Sequence, residues 1–301
     1  MANVRDLKRR ITSVKNIAQV TRAMQMVAAS KMRRAQEQAL ATRPYAAKAW
    51  EVLTHLATQR GSGPETLPLL THSELIKVTG VVLITSDKGL CGAYNSNIMR
   101  ATLRFMEGLG HPVRLITVGR RGRSVMSRHG FQVIAEFSDL PPRPSILDVT
   151  PIARTVIDDF LNRDYDEVYL AYTRFFNTLR QEPTIRRLLP ITPDEAVDSG
   201  MGPYVNDGGA GLHGEYIYEP DPQTVLDAVL PRFTELQVYQ AILESLASEH
   251  SARMVSMRNA TDNANDLIDD LTLSFYRARQ EAITTEVIDI AAGAEAFRLN
   301  A

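Results

Sequence analysis

The fold is decided by residues 236–282, which read LQVYQAILESLASEHSARMVSMRNATDNANDLIDDLTLSFYRARQEA. Steps of three and four residues join their apolar and small positions into one stripe: Leu236, Tyr239, Leu243, Leu246, His250, Met254, Met257, Thr261, Ala264, Ile268, Leu271, Phe275, Ala278 and Ala282. This spacing is typical of the seam of a coiled coil. Two successive four-residue steps at Leu246, His250 and Met254 form a stutter, which unwinds a supercoil locally.

The length of this helix indicates that it projects from the rest of the protein. From Leu236 to Phe297 it would extend about 90 Å at a rise of about 1.5 Å per residue. A central domain of this size would be only about 40 Å across. Burying each seam side chain is worth about 1.5–3 kcal/mol, so the projecting part needs a partner.

The N-terminal segment is the partner that the same chain offers. Residues 4–43 contain no Gly and no Pro, and apolar residues recur at helical spacing: Val4, Leu7, Ile11, Val14, Ile17, Val20, Met24 and Val27. We expect Pro44 to kink or break this helix, because proline lacks the backbone donor and clashes with the preceding turn. Helical character resumes over residues 45–58.

Charge supports the pairing of the two ends. The net charge is −1, yet residues 1–34 carry nine Lys or Arg against one acid, and residues 235–301 carry eleven Asp or Glu against five Arg. Because both ends leave the same domain, they are predicted to form an antiparallel coiled coil.

The middle of the chain alternates short apolar strands with helices, which predicts a Rossmann-like α/β domain with a mostly parallel sheet covered on both faces. The predicted strands are Val78–Thr85, Val113–Val118, Phe131–Phe137 and Glu167–Thr173, with a possible last strand at Tyr216–Tyr218; the predicted helices are Asn95–Glu107, Gly122–His129 and Leu147–Asn162. We therefore divide the chain into an N-terminal helix (1–75), a central α/β domain (76–220) and a C-terminal helix (221–301), with a second kink expected at Pro231. A Gly-rich loop is expected at Ser199–Gly214.

Two loops that follow strands could carry chemistry. Ser86–Gly92 reads SDKGLCG, and loops of this kind can bind phosphate at a helix N-terminus, but it matches no nucleotide fingerprint. We interpret it as a tight turn with a role in docking. Gly119–Arg123 reads GRRGR and is interpreted as a solvated turn rather than a phosphate or nucleic-acid loop. The six His and the single Cys91 form no metal motif, so we predict no metal. No Ser/His/Asp set is recognisable either, and without a nucleotide fingerprint we predict no cofactor.

Four segments carry a resemblance to a known family. They are ITSVKNIAQVTRAMQMVAASKMRRA (11–35), TSDKGLCGAYN (85–95), ASEHSARMVSMRNATDNA (247–264) and ITTEVIDIAAGAEA (283–296). In this order they closely resemble the gamma subunits of rotary F-type ATP synthases, over the whole chain. The family usually has Tyr-Asn where this chain has Phe275-Tyr276. This chain therefore lacks the asparagine amide and any hydrogen bond that this amide would make.

The resemblance implies a non-catalytic, central-stalk rotor subunit that couples proton flow to ATP synthesis by rotation. Its partners would be the alpha and beta subunits, the epsilon subunit and the membrane ring of c subunits. It would lie peripherally on the cytoplasmic face of a bacterial cell membrane, within the complex.

The resemblance also implies a coupling cluster between the two helices, with Met24, Arg253, Gln280, Thr284 and Glu286 as its members. In that cluster a cation at Met24 would lie beside Arg253 and compete for Glu286. From charge alone, the basic side chains at Arg9, Lys31, Arg33 and Arg34 are expected to face acidic segments of beta.

Two other functions are weighed against the rotor. A Rossmann-like nucleotide-binding enzyme with coiled-coil arms would need a nucleotide fingerprint, which the sequence lacks. A basic coiled coil that binds nucleic acid would need a net positive field, and the acidic C-terminal helix argues against it.

Overall fold

The structure is a computed structural model that describes residues 4–58, 68–73, 75–191, 219 and 221–299. Along the chain, an α/β region lies between two very long helices. The elements are α1 (Val4–Thr58), a 3-10 turn (Pro68–Leu70), β1 (Thr79–Ile84), α2 (Tyr94–Leu109), β2 (Val113–Val118), α3 (Arg120–Arg128), β3 (Gln132–Phe137), α4 (Ile146–Leu161), β4 (Glu167–Phe175), β5 (Gln181–Leu189) and α5 (Pro222–Leu299). None of the described helices combines the length and the apolar character that a bilayer crossing needs.

The five strands form one mixed sheet in the order β3-β2-β1-β4-β5. The first three pairings are parallel, and β5 runs antiparallel to β4 at the edge. Side chains alternate between two cores, because successive residues of a strand point to opposite faces. Val82 and Ile84 pack with α4 and α5 on one face, whereas Val81 and Leu83 pack with α2 and α3 on the other. The predicted α/β class and the coverage of both faces are confirmed.

The sequence analysis missed one strand. β5 reads QEPTIRRLL, in which Pro183 and the pair Arg186-Arg187 hide the alternation of a strand. Proline is tolerated there because an edge strand leaves some backbone N–H groups without a ladder partner. The predicted strand at Tyr216–Tyr218 and the loop at Ser199–Gly214 lie outside the described residues.

By packing, the chain divides into two units that cut across both long helices. One unit comprises residues 29–253 and holds the sheet; the other comprises residues 1–28 and 254–301. In the sheet unit, α5 is buried nearly all round, with Leu230, Phe233 and Leu243 at most 2 % exposed. The boundary at Arg253 coincides with the stutter of the apolar stripe. Beyond this boundary, the buried side chains of α5 lie on only one face of the helix.

The other unit is a pair of antiparallel helices. The side-chain hydroxyls of Thr21 and Thr261 lie 2.7 Å apart and fix which residues face each other. Continuing in opposite directions from this contact places Val14 opposite Ile268 and Leu7 opposite Phe275. These four side chains are buried or half-buried, whereas every described side chain from 279 to 292 is exposed.

The seam on α1 differs from the predicted stripe after Val14. Ile17, Val20 and Val27 were expected in the seam, but they are 53 %, 58 % and 55 % exposed. The helix buries Ala18 and Ala28 and half-buries Thr21 instead. Both sets have helical spacing, so the larger apolar residues misled the sequence interpretation. On α5, the last predicted seam residue, Ala282, is exposed as well.

Neither proline interrupts its helix. Pro44 lies inside α1, which continues to Thr58, so the break expected there does not occur. Pro231 likewise lies inside α5.

Candidate functional site

The loop Ser86–Gly92 lies at the carboxyl end of β1 and is held by a dense set of hydrogen bonds. The Asn95 side chain accepts from the Ser86 backbone N–H at 3.0 Å and donates to the Ser86 hydroxyl at 2.7 Å. That hydroxyl donates to the Lys88 carbonyl at 2.6 Å. Cys91 is buried within this network, where its sulfur accepts from Asn95 at 3.3 Å. The thiol is therefore part of the support of the loop.

The segment Gly119–Arg123 was predicted to be a solvated turn, but from Arg120 onward it is the start of α3, and it packs directly against the first loop. Gly119 has a φ of 100°, and a Cβ there would lie 2.3 Å from the Thr85 carbonyl oxygen, so only glycine fits. The Gly122 N–H donates to the Thr85 hydroxyl at 2.9 Å, and the Arg121 N–H donates to the Ser86 carbonyl at 3.2 Å. The structure thus joins two loops that the sequence analysis treated separately.

A side-chain carboxylate of the chain caps the start of α3. One oxygen of Asp87 accepts from the Arg120 N–H at 3.1 Å, and the other accepts from the Asp139 N–H at 3.0 Å. A side-chain carboxylate at a helix N-terminus takes the place that a phosphate would occupy. This contact argues against an anion site at the start of α3.

A guanidinium from α5 clamps the first loop. Arg253 donates to the Gly89 carbonyl at 3.2 Å and to the Lys88 carbonyl at 3.4 Å. Its remaining nitrogen forms an ion pair with Glu249 at 2.7 Å, and both side chains are almost buried. The same nitrogen lies 3.3 Å from Nδ1 of His250. We call Glu249, His250 and Arg253 the loop clamp.

Burial sets the charge states within the loop clamp. Burial, followed by the nearby charges of Arg253 and Lys31, lowers the pKa of His250 to about 4, so its ring is neutral near pH 7. A neutral ring can accept a hydrogen bond from Arg253 at Nδ1. Burial raises the pKa of Glu249, and the Arg253 guanidinium opposes this shift. Burial and then the Glu249 charge raise the pKa of Tyr94, which lies beneath the loop.

The clamped loop presents an unusual surface. Leu90 is 62 % exposed and has a φ of 63°, which is rare for a residue with a branched side chain. Lys88 and Arg121 are exposed on either side of Gly89, and a Cβ at Gly89 would lie 3.1 Å from the Arg121 guanidinium. A loop that exposes an apolar side chain and two cations suits a partner surface that is both acidic and apolar.

The crevice expected of a nucleotide-binding sheet is occupied by α5. The backbone N–H of Thr173, near the end of β4, donates to the Ser245 hydroxyl at 3.2 Å. The Ser248 hydroxyl donates to the Thr173 carbonyl at 3.1 Å. The two serines bond to β4 as a neighbouring strand would. Ser245 lines a cavity of about 50 Å³, whereas small-molecule sites span about 300–1,000 Å³.

Two members of the coupling cluster that the resemblance implied, Met24 and Glu286, lie far apart within the paired-helix unit. Within the paired-helix unit, the register set by Thr21 and Thr261 places Glu286 about 40 Å along α5 from the level of Met24, at about 1.5 Å per residue. A cation at Met24 would therefore not compete for Glu286 within this chain.

The other predicted contact residues are spread over both units. Gln280, Thr284 and Glu286 are exposed on the last part of α5, where the Thr284 hydroxyl donates to the Gln280 carbonyl at 2.9 Å. Arg9 is exposed, and Asp6 lies 3.8 Å from it. In the sheet unit, Arg33 and Arg34 are exposed, whereas Lys31 is half-buried and its charge acts on the loop clamp.

Sequence reasoning missed Glu249, His250 and the two serines of α5 as functional or positioning residues. All four lie in the segment ASEHSARM or just before it, which the resemblance had already singled out. The signal that could have found them is the polar character of an otherwise apolar helix face, since buried polar groups need partners.

Comparisons with known proteins agree with this architecture. The chain matches the family model described as ATP synthase over residues 3–297. The ATP synthase gamma chain of Dehalococcoides mccartyi is 50% identical over 297 residues, covering 99% of this chain and 100% of the relative. That of Chloroflexus aurantiacus is 46% identical over 301 residues, covering 99% of each.

Solved structures give the same result for the fold. The chain resembles one in the central stalk and c-ring of the Tetrahymena thermophila mitochondrial ATP synthase, with a TM-score of 0.59 and 28% identity over 80% of this chain and 99% of the other. A chain of the Euglena gracilis mitochondrial enzyme aligns with a TM-score of 0.65 and 18% identity, covering 98% and 94%. The resemblance found in the four sequence segments is confirmed, and this chain belongs to the ATP synthase gamma chain family.

Proposed function

We propose that this chain is the central-stalk rotor that couples proton flow through the c-ring to ATP synthesis or hydrolysis in the alpha and beta subunits. Gamma chains are non-catalytic, so the work of this chain is mechanical. It transmits rotation between a membrane ring and a catalytic hexamer, and it contacts different subunits as it turns.

One observation carries this proposal: the paired helices expose apolar side chains on both members. Ile17, Val20 and Val27 lie along one exposed stripe of α1. On α5, Ile283, Val287 and Ile290 are 49–67% exposed and also follow helical spacing. Exposed apolar stripes of this kind mark surfaces that bind a partner. A surrounding sleeve of alpha and beta subunits would do so.

The clamped loop supplies a second docking surface in the sheet unit. Lys88, Leu90 and Arg121 form an apolar centre with a basic surround, and Arg253 fixes the backbone beneath it. We assign this surface to acidic segments of beta. The exposed Arg33 and Arg34 extend the basic character, and Arg9 contributes in the paired-helix unit.

Further contacts follow from the family. The epsilon subunit and the c-ring would bind the α/β region, and the complex would hold the chain on the cytoplasmic face of a bacterial membrane. Met24 is half-buried beside the exposed stripe of α1, so a lysine there would face the sleeve rather than Glu286.

Two contacts weigh against a nucleotide-binding enzyme. Asp87 occupies the N-terminus of α3, and Ser245 and Ser248 cover the end of β4. Both positions are where parallel sheets normally bind phosphates or dinucleotides.

The proposal is tested by reconstitution. The purified chain is expected to hydrolyse no ATP, and together with alpha and beta subunits it is expected to support unidirectional rotation of a bead attached to the chain. Robust ATPase activity of the chain alone, or hexamers that turn equally well without it, would overturn the rotor assignment.

The docking role of the loop has its own test. Arg253→Gln removes the clamp, and we expect fewer protons pumped per ATP hydrolysed in vesicles. Arg258→Gln is the matched control, because Arg258 is exposed and contacts only Asp262 at 3.9 Å among the ion pairs described. Equal pumping ratios for the two variants would contradict the role of the clamp.

A further inference from the structure

We propose that the hydrogen bond between Thr21 and Thr261 is a register lock, a positioning pair that prevents α1 from sliding along α5. The two hydroxyl oxygens lie 2.7 Å apart in the seam of the paired helices. Thr261 is 8 % exposed and Thr21 is half-buried, so the bond is shielded from water.

The protons of this pair are fully used. The Thr261 hydroxyl lies 2.8 Å from the Met257 carbonyl, and the Thr21 hydroxyl lies 3.1 Å from the Ile17 carbonyl. In either arrangement, one proton bridges the helices and the other binds a backbone carbonyl of its own helix. Each hydroxyl is satisfied, which is the condition for a buried polar pair to be tolerated.

The neighbouring layers explain why a lock is needed. Continuing the antiparallel register, Ala18 faces Ala264 next to the threonine pair, and both are buried. Small side chains bury little apolar area and so contribute little preference for one register over another. The larger layers, Val14 with Ile268 and Leu7 with Phe275, lie further along the seam.

A slip by one heptad weakens the apolar layers but keeps one large pair. In one direction Val14 would face Phe275 while Leu7 would face Ala282, and in the other Leu7 would face Ile268 while Val14 would face Thr261. The threonines behave differently. Thr21 would face Ile268 or Met254, and Thr261 would face Ala28 or Val14, so the interhelical bond would be lost. A single polar layer can specify register in this way, at some cost in stability.

The lock deepens the proposed function, and its mechanical purpose rests on that function. Torque applied to a pair of helices tends to shear one past the other. A hydrogen bond that exists in only one register opposes the shear at a position where packing is weak.

Disulfide trapping in the full-length chain measures the register directly. In a Cys91→Ser background, Val14→Cys with Ile268→Cys reports the native register, and Val14→Cys with Phe275→Cys reports the slipped one. A disulfide forms only when the Cα atoms are about 4.4–6.8 Å apart, so the two pairs are distinct reporters. Each is combined with wild-type threonines, with Thr21→Val plus Thr261→Val, or with Thr21→Ser plus Thr261→Ser.

We expect the double valine variant to lower the ratio of native to slipped crosslinks by about fivefold to tenfold, the effect of one net hydrogen bond. Its thermal stability should hardly change, because a matched aliphatic pair replaces a matched hydroxyl pair. The double serine variant should keep the wild-type ratio. Matched controls are Thr12→Val and Thr285→Val, which remove exposed hydroxyls that bond only to their own helix among the contacts described.

An unchanged crosslink ratio in the double valine variant would overturn the lock, as would a loss of stability without any change in the ratio. Both readouts come from the chain alone. A chain that keeps its register but drives no rotation would contradict the proposed function and leave the lock standing.

Discussion

Acidification should weaken the fold through His250, whose ring is 7 % exposed. In the folded chain its pKa is lowered to about 4 from an ordinary value of 6.5. Between these two values the unfolded chain binds a proton that the folded chain does not. The free energy of unfolding therefore falls as the pH falls, since protons favour the state that binds more of them.

The magnitude follows from the two pKa values. Between pH 7 and pH 5, one group with these values changes the free energy of unfolding by about 2 kcal/mol. Two charged groups, Arg253 and Lys31, oppose protonation of the ring. Both also favour the charged form of Glu249, which the charge of Asp87 opposes. Glu249 has the opposite linkage, because a raised pKa in the folded chain adds stability as the pH falls.

The assay therefore compares variants rather than pH values alone. Urea unfolding of the full chain is measured at pH 7 and pH 5 for the wild type and for His250→Gln, whose amide oxygen can still accept a hydrogen bond from Arg253. We expect the variant to lose about 2 kcal/mol less than the wild type on acidification. His129→Gln is the control, since His129 is exposed.

Identical losses in the wild type and in His250→Gln would refute the reasoning. That result would mean that the ring gains a proton in the folded chain as readily as in the unfolded chain. The neutral imidazole would then have no place in the loop clamp.

Two further variants test the packing. Gly119→Ala should destabilise the chain by about 3 kcal/mol or more in thermal melts, because the new Cβ meets the Thr85 carbonyl. Gly130 is also at positive φ but has open space around it, so Gly130→Ala should cost only about 1 kcal/mol in the same melts. Ile17→Ala should leave the melting temperature of the isolated chain unchanged within about 1 °C and weaken assembly with alpha and beta, whereas Leu7→Ala should destabilise the chain itself by about 2 kcal/mol or more.

The sequence predicts most of the central sheet because its signals are local. β2 is predicted at its observed bounds, and β1 and β4 within two residues, since short runs of β-branched residues between turns have few other interpretations. The sequence does not predict β5, because a strand at the edge of a sheet does not need an apolar pattern on both faces. Its charged pair, Arg186 and Arg187, remains near the surface while its backbone completes the ladder with β4.

The seam on α1 shows a different limit. Val14 is followed by two stripes of the same helical spacing, one through Ile17 and Val20 and the other through Ala18 and Thr21. Hydrophobicity favours the first, yet the structure buries the second. Small side chains allow two helices to pack closely, and a hydropathy pattern carries no information about side-chain size. The stripe with larger residues remains available for other subunits.

The loop clamp shows why long-range contacts defeat local reasoning even when the right motifs are noticed. The sequence analysis names both the SDKGLCG loop (86–92) and the segment 247–264 that contains Arg253. Nothing in either segment indicates that Arg253 donates to Gly89. The contact depends on α5 crossing the end of the sheet, which Ser245 and Ser248 establish through Thr173. Once those bonds fix the helix, Arg253 lies one turn beyond Glu249 and reaches the loop. The same two serines thus cover the end of β4, where a nucleotide would bind, and align the cation that supports the docking surface.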